Sequence, residues 1–460
     1  MPAAPTAKDL RTRRSKFVAT SIVVFATCGL VVSIAATASS ASSAQRPDNR
    51  LSVVTARQSR NTETNQASAD ASTFAEGPGA VTVMGTGNAG DAGLGGVATS
   101  AELDGPTGVA VDHNGDVYIA DTGDCAIVEV PARAGTQHSM AMTANRAYVV
   151  AGGKCSGSAA KTANVGFATS LAVDSAGDVF VANPTDDVVL EVPAASDKPQ
   201  IFAGNGRSGY TGEGHAAGDA ELNNPTGIAL DAFGDLFIAD TSNCVIREVP
   251  SHDGAEWGIP MTEGDIYTVA GTGTCGQTGD GGPALRSELW DPTDVAIGPH
   301  ENVVIADQGG EEITDLPSVS GTYYGTAVST GRLAVVAGFG FYGPYLVDGQ
   351  SATGQVAELN SPTYVALDDA GNVYIADTYS SAIRIVPNVP VTEGATKMTP
   401  GNMYTLAGAL PTGTGFESTK WVDPEVLYPQ GIAVGPDATI YYADSGANVV
   451  RELTAKVSSS

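Results

Sequence analysis

A 25-residue phrase recurs along this chain of 460 residues. It reads PTGVAVDHNGDVYIADTGDCAIVEV from Pro106, PTGIALDAFGDLFIADTSNCVIREV from Pro225, PTDVAIGPHENVVIADQGGEEITDL from Pro292 and PTYVALDDAGNVYIADTYSSAIRIV from Pro362, with looser copies from Ala168 and Tyr428. A unit this short cannot bury its own apolar face. Six tandem copies therefore dictate a repeat architecture in which neighbouring units complete one another's cores.

Each copy reads as three short strands. In the first, 109–111 alternate inward and outward, the Asn114-Gly115 turn supplies positive φ, and 117–120 and 127–130 form the second and third strands. A fourth strand follows each of the first five copies after a variable loop, at YVVAG (Tyr148), QIFAG (Gln200), YTVAG (Tyr267), AVVAG (Ala334) and YTLAG (Tyr404). Four antiparallel strands repeated radially make a propeller blade. The expected fold is all-β: a six-bladed β-propeller of four-stranded antiparallel blades. The sixth copy lacks a fourth strand, and VTVMGTG from Val81 matches YTVAGTG from Tyr267. The N-terminal strand is therefore expected to complete the last blade, closing the ring and covering strand edges. High Gly and Pro, 56 and 25 residues, and few aromatics agree with many short strands and turns.

These residues closely resemble the NHL-repeat family, whose signature runs Pro-Thr-Gly-hydrophobic-Ala-Val-Asp, then Gly-Asn/Asp-hydrophobic-Tyr-Ile-Ala-Asp, then an Ile-Arg-rich strand. The segment MTEGDIYTVAGTGTCGQTGDGGPALRSEL from Met261 is similar to the linking segment of secreted bacterial members. The Ala-Asp marks Asp121, Asn183, Asp240, Asp307, Asp377 and Asp444 lie 62, 57, 67, 70 and 67 residues apart, longer than compact propeller repeats, so the excess sits in loops. The resemblance implies protein, peptide or glycan binding and names no ligand.

The N-terminus reads as an export signal or membrane anchor over 1–44: Arg11, Arg13, Arg14 and Lys16 precede an apolar run from Phe17 to Ala36. A disordered Ser/Thr/Asn/Gln-rich spacer is expected over 45–78, one propeller domain over 79–455 and a tail over 456–460. Removing 1–44 takes away five bases and one acid from the 23 and 51 of the whole chain, leaving 18 and 50, a net charge of −32. Such a surface repels nucleic acid and anionic headgroups. The expected partners are extracellular or cell-envelope proteins, peptides or glycans, with the membrane touched only through an uncleaved N-terminal segment, and the expected state is a monomer.

Four cysteines remain outside the export segment. Cys125 and Cys244 occupy one repeat position, in the loop between second and third strands; Cys155 and Cys275 follow the fourth strand of the same two blades, 30 and 31 residues downstream. Antiparallel neighbours bring the start of one strand beside the end of the other. Of three possible connectivities, repetition selects Cys125–Cys155 and Cys244–Cys275, which places the chain in an oxidising compartment.

In a propeller the fourth-to-first and second-to-third loops share one face, the mouth. The six Ala-Asp side chains are expected to cap their own following turns, not to share a metal. Departures from the repeat are more informative. Where Gly108 and Gly227 stand in two blades, others carry Ser170, Asp294 and Tyr364, and Gln430 precedes Gly431. These four are expected to rim the mouth, with Tyr210, Phe341, Tyr342, Tyr345 and Trp421 on nearby loops as stacking platforms. Asp294→Ala, Tyr364→Ala and Gln430→Ala are expected to weaken binding without unfolding the ring. NHL-like and six-bladed relatives include a zinc-dependent peptidylglycine lyase and metal-dependent lactonases, so a metal-dependent lyase or hydrolase using the mouth around Asp294 and Tyr364 is the alternative function. Against it, the five histidines (His113, His138, His215, His252 and His300) fall on different loop sets, and no nucleophile elbow or phosphate loop occurs. No cofactor or metal is expected.

Overall fold

The computed structural model describes residues 73–74, 80–153, 155, 165–196, 198–338, 340, 348–353, 358–393, 396–408 and 426–453; the expected export segment and most of the spacer, with Phe341, Tyr342, Tyr345 and Trp421, lie outside the described residues. Alternating apolar residues between Gly- and Asp-rich turns give six small antiparallel sheets in a ring. Blade one comprises Pro106–Val111, Val117–Asp121, Ala126–Val130 and Tyr148–Gly152. Blade two comprises Ser170–Val173, Val179–Asn183, Val188–Val192 and Gln200–Ala203. In blade three, Pro225–Leu230, Leu236–Asp240, Val245–Val249 and Asp265–Ala270 are extended at the outer edge by His215–Ala216. Blade four is Pro292–Ile297, Val303–Asp307, Glu312–Leu316 and Ala334–Gly338. Blade five is Pro362–Leu367, Val373–Asp377, Ala382–Val386 and Asn402–Gly408, edged by Gln350–Ser351.

Blade six is built from Pro429–Val434, Ile440–Asp444 and Val449–Leu453, beside which Val81–Met84 runs antiparallel, Val81 opposite Glu452 and Met84 opposite Val450. That pairing carries the same irregularity as the other five outer pairings. In every blade one residue of the fourth strand is skipped opposite the second and third residues of the third strand, at Ile127/Val128, Val189/Leu190, Ile246/Arg247, Ile313/Thr314 and Ile383/Arg384, and at Thr82/Met84 across the termini. A bulge of this kind turns the outer strand away from the sheet. It ends on a glycine at positive φ: Gly85, Gly152, Gly204, Gly271, Gly338 and Gly408. A Cβ at any of them would lie 2.1–2.5 Å from the carbonyl oxygen preceding the third strand, so no other residue fits.

The first strand of each blade packs against the first strand of the next, and that of blade six against that of blade one. Between neighbouring blades lie apolar cores such as that of Tyr118, Ile127, Val165, Leu171, Val181 and Leu190. Helical structure among the described residues is confined to three-residue 3-10 turns, and no described helix is long and apolar enough to cross a membrane. At the end opposite the mouth, the connection between third and fourth strands folds into small hairpins, Gly135–Gln137 with Met140–Met142, Gly254–Glu256 with Ile259–Met261, Gly321–Tyr323 with Thr326–Val328 and Val391–Glu393 with Thr396–Met398. The loops between third and fourth strands thus carry structure of their own. Both bridges are present: Cys125–Cys155 and Cys244–Cys275, each with Cα atoms 5.2 Å apart.

Candidate functional site

The Ala-Asp carboxylates close each second strand and are buried in full or nearly so. Their partners differ from the expected ones. Asp121, Asp240, Asp307, Asp377 and Asp444 each accept through Oδ1 from a backbone N–H 17 residues upstream, those of Asp104, Asn223, Trp290, Asn360 and Leu427, at 2.7–2.8 Å. Through this oxygen the carboxylate fixes the loop that enters the axial strand of its own blade. Asn183 in blade two does bond within its turn, accepting from Asp186 N at 3.2 Å and donating Nδ2 to Asp186 Oδ2 at 2.9 Å. The second oxygen meets Asn243 in blade three at 2.8 Å, Arg384 in blade five at 3.1 Å and Arg451 in blade six at 3.0 Å.

At the axis the threonines that open the axial phrases, four after proline and Thr169 after Ala168, form a relay. Thr107 Oγ1 donates to Thr169 O at 2.9 Å, Thr169 to Thr226 O at 2.8 Å, Thr226 to Thr293 O at 2.7 Å, and Thr293 to Thr363 O at 2.9 Å. The sixth place in this column belongs to Gln430, which is half-buried. The next column is Gly108, Ser170, Gly227, Asp294, Tyr364 and Gly431. Its glycines allow close approach of the following blade: a Cβ on Gly227 would lie 2.4 Å from Asp294 Cα, and one on Gly431 2.2 Å from Thr107 O. The larger members do not rim an open mouth. Tyr364 is only 7% exposed and reaches from blade five to blade two, donating its hydroxyl to Thr169 O at 2.6 Å. Asp294 is 4% exposed and accepts from Val365 N at 3.0 Å; burial pushes its carboxyl well above the usual carboxylate range despite that bond. Ser170 is buried and its Oγ accepts from Ile228 N at 3.3 Å. Burial, and then the neighbouring Asp294 carboxylate, raises the Tyr364 hydroxyl pKa. Six strands converging on one axis leave little room, so one tyrosine from one blade spans the channel and plugs it.

The exposed chemistry lies one step outward, on residues just before each axial strand. Phe167, Trp290, Leu427 and Tyr428 stand there with 45, 46, 47 and 52% of their surface open to solvent, and Tyr379, on the adjoining second-to-third loop of blade five, is 61% open. Tyr379 and Tyr428 meet edge to face at 6.1 Å. Their backbones are fixed: Trp290 N and Leu427 N donate to Asp307 and Asp444, and Tyr428 holds a φ of 53°. The fold thus clamps the main chain of these loops and leaves their side chains outside. Tyr210 lies apart from this set: its hydroxyl bonds Thr268 Oγ1 at 2.8 Å and its ring lies under the Arg247 guanidinium, 5.4 Å away, so it serves as cover for a buried arginine.

Residues 103–129 match the NHL repeat family model. A 245-residue stretch, 51% of the chain, is 29% identical to the Arabidopsis thaliana protein SUPPRESSOR OF QUENCHING 1, chloroplastic, of which the match spans only 20%. Among solved structures, a Bacteroides thetaiotaomicron protein of unknown function is similar with TM-score 0.51 and 15% identity over 81% of this chain and 75% of that one. An auxiliary nutrient binding protein of the same organism is similar with TM-score 0.50 and 12% identity over 82% and 76%. At such identities these structures speak for the fold alone.

Proposed function

We propose that this NHL-repeat β-propeller is an exported recognition module that binds a protein, peptide or glycan of the cell envelope or surroundings through the aromatic rim of its mouth face. The observation that carries this reading is the placement of Phe167, Trp290, Tyr379, Leu427 and Tyr428: large apolar side chains, open to solvent, with the main chain at Trp290 and Leu427 held by the buried Asp307 and Asp444 carboxylates. Solvent-exposed aromatics grouped on one face mark interaction surfaces, and rigid loops lose little entropy on binding. Two disulfides and a strongly acidic composition support a place outside the cytoplasm. The lyase or hydrolase alternative would work through Asp294 and Tyr364, and a substrate would have to reach two side chains that are more than nine-tenths buried.

The test is capture from the producing organism's envelope fraction, together with glycan-array screening, using wild type and a Tyr379→Ala/Tyr428→Ala double variant. Binding that drops at least tenfold in the double variant with an unchanged thermal midpoint supports the rim. Binding that survives in the double variant and disappears on altering the opposite-face hairpins refutes it.

A further inference from the structure

Blade three departs from blade one at the end opposite the mouth. In blade one the turn between first and second strands ends on Asp116. Its Oδ1 accepts from Ala132 N at 2.7 Å and its Oδ2 from Gln137 Nε2 at 2.5 Å, tying the turn to the hairpin after the third strand. The same positions in blade three are Asp235, Ser251 and Glu256. Ser251 N still donates to Asp235 Oδ1, at 2.6 Å, but the amide donor has become a second carboxylate. The residue after Ser251 is His252, where blade one has Arg133. Ligand atoms of Asp235, His252 and Glu256 all lie within 4.8 Å of one another, with His252 Nδ1 3.5 Å from Asp235 Oδ1. Asp235 and Glu256 are buried, and the His252 side chain is 45% exposed, leaving one open approach.

Two carboxylates brought together out of water repel one another unless a proton or a cation lies between them. An imidazole beside them makes a cation the better fit. Calcium and magnesium sites are built from oxygen alone, whereas one nitrogen and two carboxylate oxygens suit a first-row divalent ion of the zinc class. We propose that Asp235, His252 and Glu256 form a zinc-class metal site that clasps the 254–261 hairpin to the turn before the second strand. Bond lengths of about 2.0–2.2 Å require the three side chains to draw in, which the open His252 ring permits. The hydrogen bond from Ser251 N orients the Asp235 carboxylate, as outer partners of metal ligands commonly do. Lying at the end opposite the rim, the site acts independently of the recognition reading above.

The experiment uses tag-free full chain as secreted, stripped with EDTA, dialysed, and titrated with Zn²⁺ by calorimetry at pH 7. One site per chain with micromolar or tighter affinity is expected, together with a higher thermal midpoint on zinc addition. His252→Ala and Glu256→Gln should each weaken that site at least tenfold, and Glu256→Gln should raise the midpoint of the metal-free protein by replacing one of two neighbouring buried carboxylates with an amide, as at Gln137. Absence of stoichiometric zinc binding overturns the proposal, as does a site of equal affinity in both variants. Zinc indifference combined with stabilisation by Glu256→Gln would mark a carboxyl pair sharing a proton, and also overturns it.

Discussion

Blade one contains a defect that blades two, three, five and six avoid, and repairing it should stabilise the protein. Asp121 is fully buried and its Oδ2 finds no hydrogen-bond donor among the described residues. Blade three supplies an amide, Asn243 Nδ2 to Asp240 Oδ2 at 2.8 Å, and blade two reverses the pair as Asn183 and Asp186 at 2.9 Å. Blade one sets Asp124 in that place, with Val128 where blades three, five and six carry an arginine. Burial first, then the charges of Asp124 and Asp104, push the Asp121 carboxyl up to about 8. A buried acid whose folded pKa exceeds its unfolded value of about 3.9 keeps its proton longer in the folded state. Stability therefore falls as pH rises from about 4 to about 8, by up to ~1.4 kcal/mol per pH unit for one group. Asp124→Asn gives Asp121 a donor and removes one neighbouring charge while leaving its burial, the larger cause, in place. A hydrogen bond to a charged group is worth about 1.5–3 kcal/mol; with Asp124 half-exposed, a gain of about 1–2 kcal/mol at pH 8 is expected. For a ring of roughly 375 residues, unfolding entropy is about 0.8 kcal/mol/K, so the midpoint should rise about 1–3 °C at pH 8 and by almost nothing at pH 4. Differential scanning calorimetry of wild type and variant in EDTA across that range decides it. An equal shift at both pH values, or destabilisation at pH 8, refutes the reasoning.

Tyr364→Phe removes one of two donors to Thr169 O, since Thr107 Oγ1 also bonds that carbonyl, and should cost about 1 kcal/mol; Tyr364→Ala unplugs the axis and should cost about 3–5 kcal/mol. Equal chemical-denaturation midpoints for the two variants would show that the aromatic ring contributes no packing at the axis. Deleting 45–78 should leave the thermal midpoint unchanged, whereas deleting 45–86 removes the strand beside Val449–Leu453 and exposes its edge, giving aggregation or a lower midpoint by light scattering and calorimetry; matching behaviour would mean that the N-terminal strand does not close the ring. Cys244→Ser/Cys275→Ser opens a loop of 31 residues and should lower stability by roughly 3–4 kcal/mol, read from urea midpoints in non-reducing buffer; a change under 1 kcal/mol would contradict the loop-entropy account.

The fold was legible because the repeat states it six times over, and VTVMGTG from Val81, which pairs with Val449–Leu453, resembles YTVAGTG from Tyr267 and carries the same positive-φ glycine after the strand. The bridges followed from strand adjacency. The hairpins between third and fourth strands escaped notice because runs of three residues such as Gly135–Gln137 carry no period. The cluster of Asp235, His252 and Glu256 leaves no mark in the sequence, because one histidine and two carboxylates from a turn and a hairpin form no motif of fixed spacing.

The exposed rim lies one column outward from the axis for a physical reason. The column holding Ser170, Asp294 and Tyr364 varies between blades, and at a protein surface variation of that kind accompanies exposure. At the axis of six converging strands the opposite holds: the glycines there are required by close approach, and the larger residues vary because each fills whatever space its neighbours leave. The column two residues before each axial strand varies just as widely, as Asp104, Gly166, Asn223, Trp290, Asn360 and Leu427, and there Trp290 and Leu427 stand about half open to solvent. In five blades the residue two positions before the axial strand donates its backbone N–H to the Ala-Asp carboxylate 17 positions on, a bond that does not depend on which side chain stands there. Where the backbone supplies the bond, the side chain is left to selection by a partner. Trp290 and Tyr428, costly apolar residues to leave in water, are therefore better evidence for a binding face than the polar residues buried at the axis.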